Sequence, residues 1–166
     1  MRRVASIIND PYYKDCLERN AAAEVNRRFC KHDLQHMLDV SRITYMLMLE
    51  ENVPKGQPVF NREIIYAAGL LHDLARWLEY QTGEDHAAAG ARLAGAVLDR
   101  SGFTEWEKEL IVTAISEHRA GSEEKVSLLG RYIARADDLS RPCYQCQARA
   151  ECYKLDRMET AGNLLY

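Results

Sequence analysis

Apolar residues recur at intervals of three and four positions along nearly the whole chain, and alternating β-branched runs are absent. This spacing is typical of amphipathic α-helices that bury one face, whereas strands alternate with a period of two. At 166 residues the chain is long enough for one domain with a hydrophobic core and too short for two domains of ordinary size. The sequence therefore predicts an all-α, single-domain helical bundle.

Capping and helix-breaking residues divide this pattern into six predicted helices. The predicted helices run from Asp10–Pro11 to about Phe29, from near His32 to before Pro54, from Asn61 to the Gln81–Gly83 segment, from Asp85 to Gly102, from the Thr104–Glu107 capping box to Gly121, and from Ser122 to about Leu139. The tail after Pro142 has no clear pattern.

Composition excludes several classes of protein. Hydrophobic residues make up 47% and charged residues 28%, which argues against disorder, and the formal charge of -3 provides no basic field for nucleic acid. The N-terminal apolar stretch is interrupted by Asn9, Asp10 and Pro11 and is too short for a signal peptide or a membrane span. Five cysteines, an odd number, are expected to be reduced thiols. We expect a cytoplasmic protein that binds neither nucleic acid nor membranes.

A His-Asp pair lies inside an apolar run, Leu70-Leu71-His72-Asp73-Leu74. A buried carboxylate without a partner costs several kcal/mol, on the order of its desolvation penalty, and metal coordination is one way to supply the partner. The alternative is a half-exposed pair on a solvated helix face, which the flanking leucines make less attractive.

Other histidines and acids share helical spacing with apolar residues. His36, for example, is in line with Val40, Ile43 and Leu47. By this criterion six side chains are predicted to face the interior, namely His36, His72, Asp73, His86, His118 and Asp137. Imidazole with carboxylate suits Fe, Mn, Co, Ni or Zn better than Ca. His32 could pair with His36 on one ion, but the favoured interpretation places it in solvent near a helix start.

Three segments together resemble a known family. QHMLDVSRI, AAGLLHDLAR and IARADDLSR are similar to the ligand helices of the HD-domain metal-dependent phosphohydrolases, over about residues 30–141. The resemblance implies a helical HD-type bundle with His36, His72, Asp73 and Asp137 as metal ligands, and it places Asp137 rather than Asp138 at the last ligand position.

Two further segments, DHAAAGARLA and AISEHRAG, resemble the additional histidine segments of HD proteins that bind two metals. That resemblance implies His86 and His118 as ligands of a second ion, with Asp73 bridging. Arg119 stands where some two-metal members have a second adjacent histidine, so a single-metal site with His86 and His118 lining the pocket stays open. Mg²⁺ also stays open as the ion.

The resemblance implies hydrolysis of a phosphoester or phosphoanhydride of a nucleotide or another small phosphate compound by metal-activated water, with Asp73 in the catalytic centre. Arg76 lies one helical turn beyond His72 and is the first candidate to neutralise charge on the phosphoryl group, ahead of Arg119, Arg141 and Lys31. Two alternatives are a di-iron oxygenase and a non-catalytic module that binds metal or nucleotide. A homodimer is left open.

The tail carries Cys143, Cys146 and Cys152 in a C-x2-C-x5-C pattern, which is three-quarters of a zinc or iron–sulfur site. Cys16 or Cys30 could supply a fourth ligand, but the favoured interpretation is buried or redox-inert thiols. We predict an N-terminal helix over 1–30 packed on the core, an HD metal-binding domain over 31–141, and the tail over 142–166 in the same globular unit.

Overall fold

The computed structural model describes residues 1–120 and 125–166, and over these residues it is helical and contains no strand. The all-α prediction is therefore confirmed. The α-helices of the described residues are α1 (Arg2–Asn9), α2 (Pro11–Ala23), α3 (Leu34–Glu50), α4 (Arg62–Leu71), α5 (Arg76–Thr82), α6 (His86–Arg100), α7 (Glu105–Glu117) and α8 (Leu128–Leu139). The tail forms four 3₁₀ turns, Cys143–Gln145, Arg149–Glu151, Leu155–Arg157 and Glu159–Ala161.

Several helices begin at the capping residues that the sequence indicates. The Asp10 carboxylate accepts hydrogen bonds from the backbone of Tyr12 and Tyr13, and Pro11 occupies the first turn of α2. The predicted capping box of Thr104 and Glu107 is present at the start of α7. Local side-chain chemistry thus sets these helix starts.

The N-terminal region differs from its prediction because it holds two helices. α1 has no side-chain cap at Met1, and Asp10 separates it from α2, which ends at Ala23 rather than at about Phe29. α1 packs against α4 and α6, and α2 packs against α5. The division of the chain at residues 30 and 141 stays a prediction.

The predicted single helix from Asn61 to Gly83 is wrong. It is divided into α4 and α5 by a turn over residues 72–75. The Asn20 side chain donates a hydrogen bond to the carbonyl of Asp73 at 3.0 Å and accepts one from the Trp77 amide at 2.8 Å. These bonds satisfy backbone groups that a continuous helix would have paired. Asn20 is too distant in sequence for helical periodicity to predict this interaction.

The predicted boundary at Gly121 and Ser122 lies outside the described residues. The helix expected to begin there begins at Leu128, with Ser127 accepting a hydrogen bond from the Gly130 amide, and it ends at Leu139 as expected.

The core lies where α3 packs along α4 and α8 and where α7 packs along α6 and α8. Aliphatic side chains with no exposed surface fill it, among them Ile64, Leu70, Ile111 and Ile133. The tail packs against α8 through its last 3₁₀ turn. Among the helices of the described residues, none is both long and apolar enough to cross a membrane.

Gly69 sets the close approach of α4 to α3. A Cβ atom at this position would lie 2.8 Å from Cα and 2.9 Å from the backbone nitrogen of Ser41. We expect Gly69→Ala to lower the free energy of unfolding by about 1–3 kcal/mol, because the two backbones must separate.

Chemical denaturation of the two matched glycine variants tests this expectation. Gly95→Ala in α6 is the control, since its Cβ would meet nothing within 4 Å and alanine favours helix by about 1 kcal/mol. Equal unfolding midpoints for the two variants would contradict the packing described for α3 and α4.

Candidate metal centre

The structure brings together the six side chains that the sequence predicts to face inward. They lie at the ends of helices rather than in their middles, as follows: His36 in the first turn of α3, His72 directly after α4, Asp73 in the α4–α5 turn, His86 at the start of α6, His118 directly after α7 and Asp137 in the last turn of α8. Five of the six are buried, and Asp137 is the most exposed.

The first group of ligand atoms comes from His36, His72, Asp73 and Asp137, and its atoms lie within 4.8 Å of one another. His36 Nε2 lies 3.2 Å from Asp137 Oδ1 and 3.7 Å from Asp73 Oδ2. His72 Nε2 lies 3.3 Å from the same Asp73 oxygen. Metal–ligand bonds of about 2.1 Å place neighbouring ligand atoms about 3.0–3.4 Å apart, so this spacing suits one ion.

The second group consists of Asp73, His86 and His118. His86 Nε2 lies 3.1 Å from Asp73 Oδ1 and 3.2 Å from His118 Nε2, and His118 Nε2 lies 3.9 Å from Asp73 Oδ1. The two carboxylate oxygens of Asp73 thus face different groups, Oδ2 toward the first and Oδ1 toward the second. A carboxylate placed in this way can bridge two cations.

His72 and His118 have the same backbone arrangement. Nδ1 of His72 donates to the carbonyl of Gly69 at 2.7 Å, and Nδ1 of His118 donates to the carbonyl of Ile115 at 2.6 Å. Each ring therefore carries its proton on Nδ1 and presents the lone pair of Nε2 to the interior. Histidines that bind metals are generally oriented by such a bond.

His36 and His86 are oriented by side chains. Nδ1 of His86 lies 2.7 Å from Glu79 Oε2 and 2.6 Å from Arg76 Nη1, so both side chains hold the ring from this side. Nδ1 of His36 lies 3.1 Å from the Ser140 hydroxyl, which donates its own hydrogen to the Asp137 carbonyl at 2.7 Å and so accepts from the imidazole. All four rings thus direct Nε2 toward Asp73 or Asp137.

The residues present fit a bound cation. His72 is fully buried, and its Nε2 has no hydrogen-bond partner. Such an atom costs free energy unless something binds it, and a cation between the carboxylates of Asp73 and Asp137 would do so. Imidazole and carboxylate ligands suit a divalent transition metal.

The charges around the centre favour a cation. Burial alone raises the pKa of Asp73, but His72, His32 and His36 outweigh burial and hold that pKa well below its usual range. Burial likewise acts on Asp137, where Arg141 and His36 keep the pKa well below its usual range. Both carboxylates are therefore ionised.

His118 is neutral at pH 7, because burial and the neighbouring His72 lower its pKa to about 4. The neutral ring is the form that binds metal.

The prediction that His32 points into solvent is wrong. The ring is buried between Glu24, whose Oε1 accepts from Nδ1, and Asp73, whose Oδ2 lies 3.7 Å from Nε2. Tyr80 donates to the same Glu24 oxygen at 2.7 Å. His32 precedes α3 and so does not form the helical pair with His36 that the spacing allowed. The sequence does not predict Glu24 in the site, because it reaches the site from the residue directly after α2, outside the ligand segments.

Two arginines contact the ligand groups from opposite sides. Arg141 is buried, and its Nη2 lies 2.9 Å from His36 Nε2 and 2.8 Å from Asp137 Oδ1. Arg76 Nη1 lies 2.6 Å from His86 Nδ1 and pairs with Glu79. A guanidinium group therefore stands beside each group of ligands.

Arg119 lies farther from the ligands. Its side chain is half exposed and forms ion pairs with Glu79, at 3.2 Å, and with Asp85. The assignment of Arg119 to catalysis stays a prediction. Lys31 contributes its backbone carbonyl, which accepts from Arg141 at 3.0 Å.

Asn20 holds the turn that carries Asp73, and its loss should destabilise the centre. Asn20→Ala leaves the Asp73 carbonyl and the Trp77 amide without partners, so we expect the free energy of unfolding to fall by about 2–4 kcal/mol. Metal affinity should fall as well, because Asp73 is no longer fixed.

Calorimetric unfolding and a metal titration measure both effects. Asn9→Ala is the matched control, since that side chain bonds the Ala5 carbonyl at an exposed position and should change stability by less than about 0.5 kcal/mol. Unchanged metal affinity in Asn20→Ala would show that Asn20 does not position Asp73.

Comparison with known proteins places the site in context. The HD domain profile matches residues 33–141, which include His36, His72, Asp73 and Asp137. An uncharacterized protein of Clostridium beijerinckii is 38% identical over 152 residues, 92% of each chain. A solved structure, a predicted HD superfamily hydrolase from an uncultured Thermotogales bacterium, matches with a TM-score of 0.56 and 28% identity over 78% of this chain and 68% of that one.

Other similarities cover small parts of larger proteins. The bifunctional uridylyltransferase/uridylyl-removing enzyme of Rhodopseudomonas palustris is 40% identical over 80 residues, which are 48% of this chain and 7% of that protein. Ribonuclease Y of Enterococcus faecalis is 29% identical over 135 residues, 79% of this chain and 22% of that protein. The similarity to these enzymes is therefore confined to one segment of each.

Proposed function

The chain belongs to the HD-domain family, and on that premise we propose that it is a metal-dependent phosphohydrolase acting on a phosphoester or phosphoanhydride of a nucleotide or another small phosphate compound. The observation that carries the proposal is the position of Asp73. Its two oxygens face two separate groups of imidazole nitrogens, so one carboxylate serves both.

In this proposal, His36, His72, Asp73 and Asp137 would hold the first ion, and Asp73, His86 and His118 would hold the second. A divalent transition metal supplies Lewis-acid chemistry when it is bound: it lowers the pKa of a coordinated water and polarises a phosphoryl oxygen. Fe, Mn, Co, Ni and Zn suit this ligand set, and Mg²⁺ is a further candidate.

The protein's own contribution is orientation and charge. Hydrogen bonds at Nδ1 fix the histidine rings, so the site need not reorganise during the reaction. Arg76 and Arg141 place guanidinium groups on two sides of the carboxylates. A guanidinium group can donate two parallel hydrogen bonds to a phosphate. Arg76 and Arg141 are therefore suited to hold a phosphate and to neutralise the charge that develops on it.

The names of two relatives favour a nucleotide as substrate. One is a uridylyl-removing enzyme and the other a ribonuclease. The chain carries a net charge of -3, which favours a small nucleotide over a long nucleic acid.

A phosphate-release assay tests the proposal. Chelated protein resupplied with Mn²⁺, Co²⁺, Ni²⁺, Zn²⁺ or Fe²⁺ is mixed with nucleoside mono-, di- and triphosphates, dinucleotides and sugar phosphates. We expect metal-dependent turnover of at least one compound, and activity lost on chelation should return with the ion. Metal binding that stabilises the fold without any turnover in the panel would favour a non-catalytic module instead.

The same six ligands also fit a di-iron oxygenase, since Asp73 lies between two groups rich in imidazole. Oxygen consumption separates the two enzymes. Phosphate release at equal rates with and without oxygen supports the hydrolase, whereas turnover that requires both iron and oxygen supports the oxygenase.

Replacing Arg76 should impair substrate turnover more than metal binding. Arg76→Ala removes the guanidinium beside His86 but none of the proposed ligands, so we expect normal metal content and a fall in kcat/KM of about 10²-fold. The matched control is Arg92→Ala, whose exposed side chain pairs with Glu84. Steady-state kinetics with elemental analysis tests this, and loss of metal in Arg76→Ala would make Arg76 a positioning residue for the ligands.

A further inference from the structure

Four of the five cysteines surround one cavity of about 500 Å³, next to the metal centre. The cavity is lined by Cys30, Cys143, Cys146 and Cys152, together with His36 and Arg141 among other residues. Cys143 is buried and the other three are half-buried, and all are free thiols. Cys16 lies elsewhere, on α2 beside Tyr12 and Trp77. The structure thus selects Cys30 over Cys16 as the partner of the tail cysteines.

Side-chain contacts hold the two cysteine-bearing segments against each other. Arg141, next to the tail, donates to the Lys31 carbonyl at 3.0 Å, and Arg28 pairs with Glu151 at 3.0 Å. Within the tail, the Cys146 amide donates to the Cys143 carbonyl at 3.3 Å and closes a turn. These bonds fix Cys30 opposite the tail thiols.

The four thiols line a cavity of about 500 Å³, which has room for a group larger than a single ion. Zinc bound by four sulfurs at about 2.3 Å places those sulfurs about 3.8 Å apart. Among the described residues, the groups of three or more ligand atoms within 4.8 Å include no cysteine. The four thiols instead border an open cavity, as thiolates do when each binds a different part of a cluster of iron and sulfide.

The charges around the cavity suit an anionic cluster. Four basic residues, Arg28, Lys31, Arg141 and Arg149, line it together with the cysteines and outnumber the two acidic ones, Asp33 and Asp39. Burial raises the pKa of the Cys30 thiol, whereas Arg141 acts in the opposite direction. Each thiol gives up its proton when it binds iron, and nearby cations stabilise the thiolates that result.

The tail itself lacks a core that would hold it together. Residues 142–166 form short 3₁₀ turns, and their buried side chains are Cys143, Ala148, Met158 and Thr160. Segments with so little apolar burial are commonly stabilised by a metal site or by disulfides. A cluster bound by three tail cysteines and Cys30 would tie the tail to the loop before α3.

We propose that Cys30, Cys143, Cys146 and Cys152 bind an iron–sulfur cluster. The cluster site shares none of the ligands of the HD centre and does not depend on the phosphohydrolase activity. Arg141 contacts the ligands of one site and lines the cavity of the other.

Acid-labile sulfide tests the proposal, because the HD centre contains none. Full-length protein is purified without oxygen and reconstituted with Fe²⁺ and sulfide. We expect about two or four sulfide ions per chain, for a [2Fe–2S] or a [4Fe–4S] cluster, and visible charge-transfer absorption. Cys30→Ser and Cys143→Ser should lose both signals, whereas Cys16→Ser should retain them.

Three results would overturn the cluster: zinc without sulfide in the wild-type protein, no sulfide after reconstitution, or full sulfide in Cys30→Ser and Cys143→Ser. If the serine variants fail to fold, the Mössbauer spectrum of ⁵⁷Fe-reconstituted wild-type protein decides, since cluster iron has sulfur ligands and iron at the HD centre has nitrogen and oxygen ligands. Asp73→Asn should retain the sulfide of the wild-type protein, because Asp73 is a ligand of the HD centre only. A failed phosphohydrolase proposal can therefore be told apart from a failed cluster proposal.

Discussion

Asp73→Asn should weaken metal binding at both groups of ligands and lower the proposed phosphohydrolase activity by about 10³-fold or more. The amide has nearly the shape of the carboxylate but no negative charge, and its nitrogen cannot bind a cation. Since Oδ1 and Oδ2 of Asp73 face different groups, one substitution removes the negative charge from both groups and an oxygen ligand from one of them. The Asn20 bond to the turn is made to the backbone carbonyl of residue 73, so the fold should persist.

Metal content, activity and circular dichroism of Asp73→Asn are measured beside those of Asp99→Asn. Asp99 is an exposed acid that pairs with Lys108, and its variant should retain metal and activity. A folded Asp73→Asn protein with full metal content would remove Asp73 from the centre.

His118→Ala should separate the two groups. It removes a ligand of the second group and leaves the first intact. We expect bound Mn²⁺ to fall from two ions per chain to one. Activity should fall by about 10²-fold, because losing a metal ligand should lower activity at least as much as losing a residue that only hydrogen-bonds to a ligand.

The same measurement on His36→Ala provides the comparison, because that ring belongs to the first group alone. Loss of one ion in each variant would support two separate sites. If His118→Ala binds as much Mn²⁺ as the wild type, the protein has one metal site and His118 only lines it.

Much of this arrangement follows from local sequence. Helical periodicity predicts the all-α fold, and caps such as Asp10 and Thr104 mark helix starts because their hydrogen bonds reach only two or three residues. The same spacing identifies His36 and Asp137 as inward-facing, and the structure brings them to 3.2 Å.

Helical periodicity gives wrong predictions where contacts with residues distant in sequence determine the local structure. It predicts a continuous helix through His72 and Asp73, but Asn20 replaces the helical bonds of that turn from 53 positions away. It also places His32 in solvent, whereas Glu24 and Asp73 bury the ring. The sequence ranks Arg76 ahead of Arg141, and the structure shows that Arg141 also contacts a proposed ligand, since its Nη2 lies 2.8 Å from Asp137 Oδ1. Spacing within one helix carries no information on such contacts between elements.

The central claim is that side chains at or directly after the ends of five helices bind transition-metal ions around Asp73. Anomalous diffraction from crystals of Mn²⁺-loaded protein, recorded at the manganese absorption edge, tests it most directly. We expect one peak among His36, His72, Asp73 and Asp137 and a second beside His86 and His118. Crystals grown with saturating Mn²⁺ that show no peak next to either oxygen of Asp73 would contradict the account.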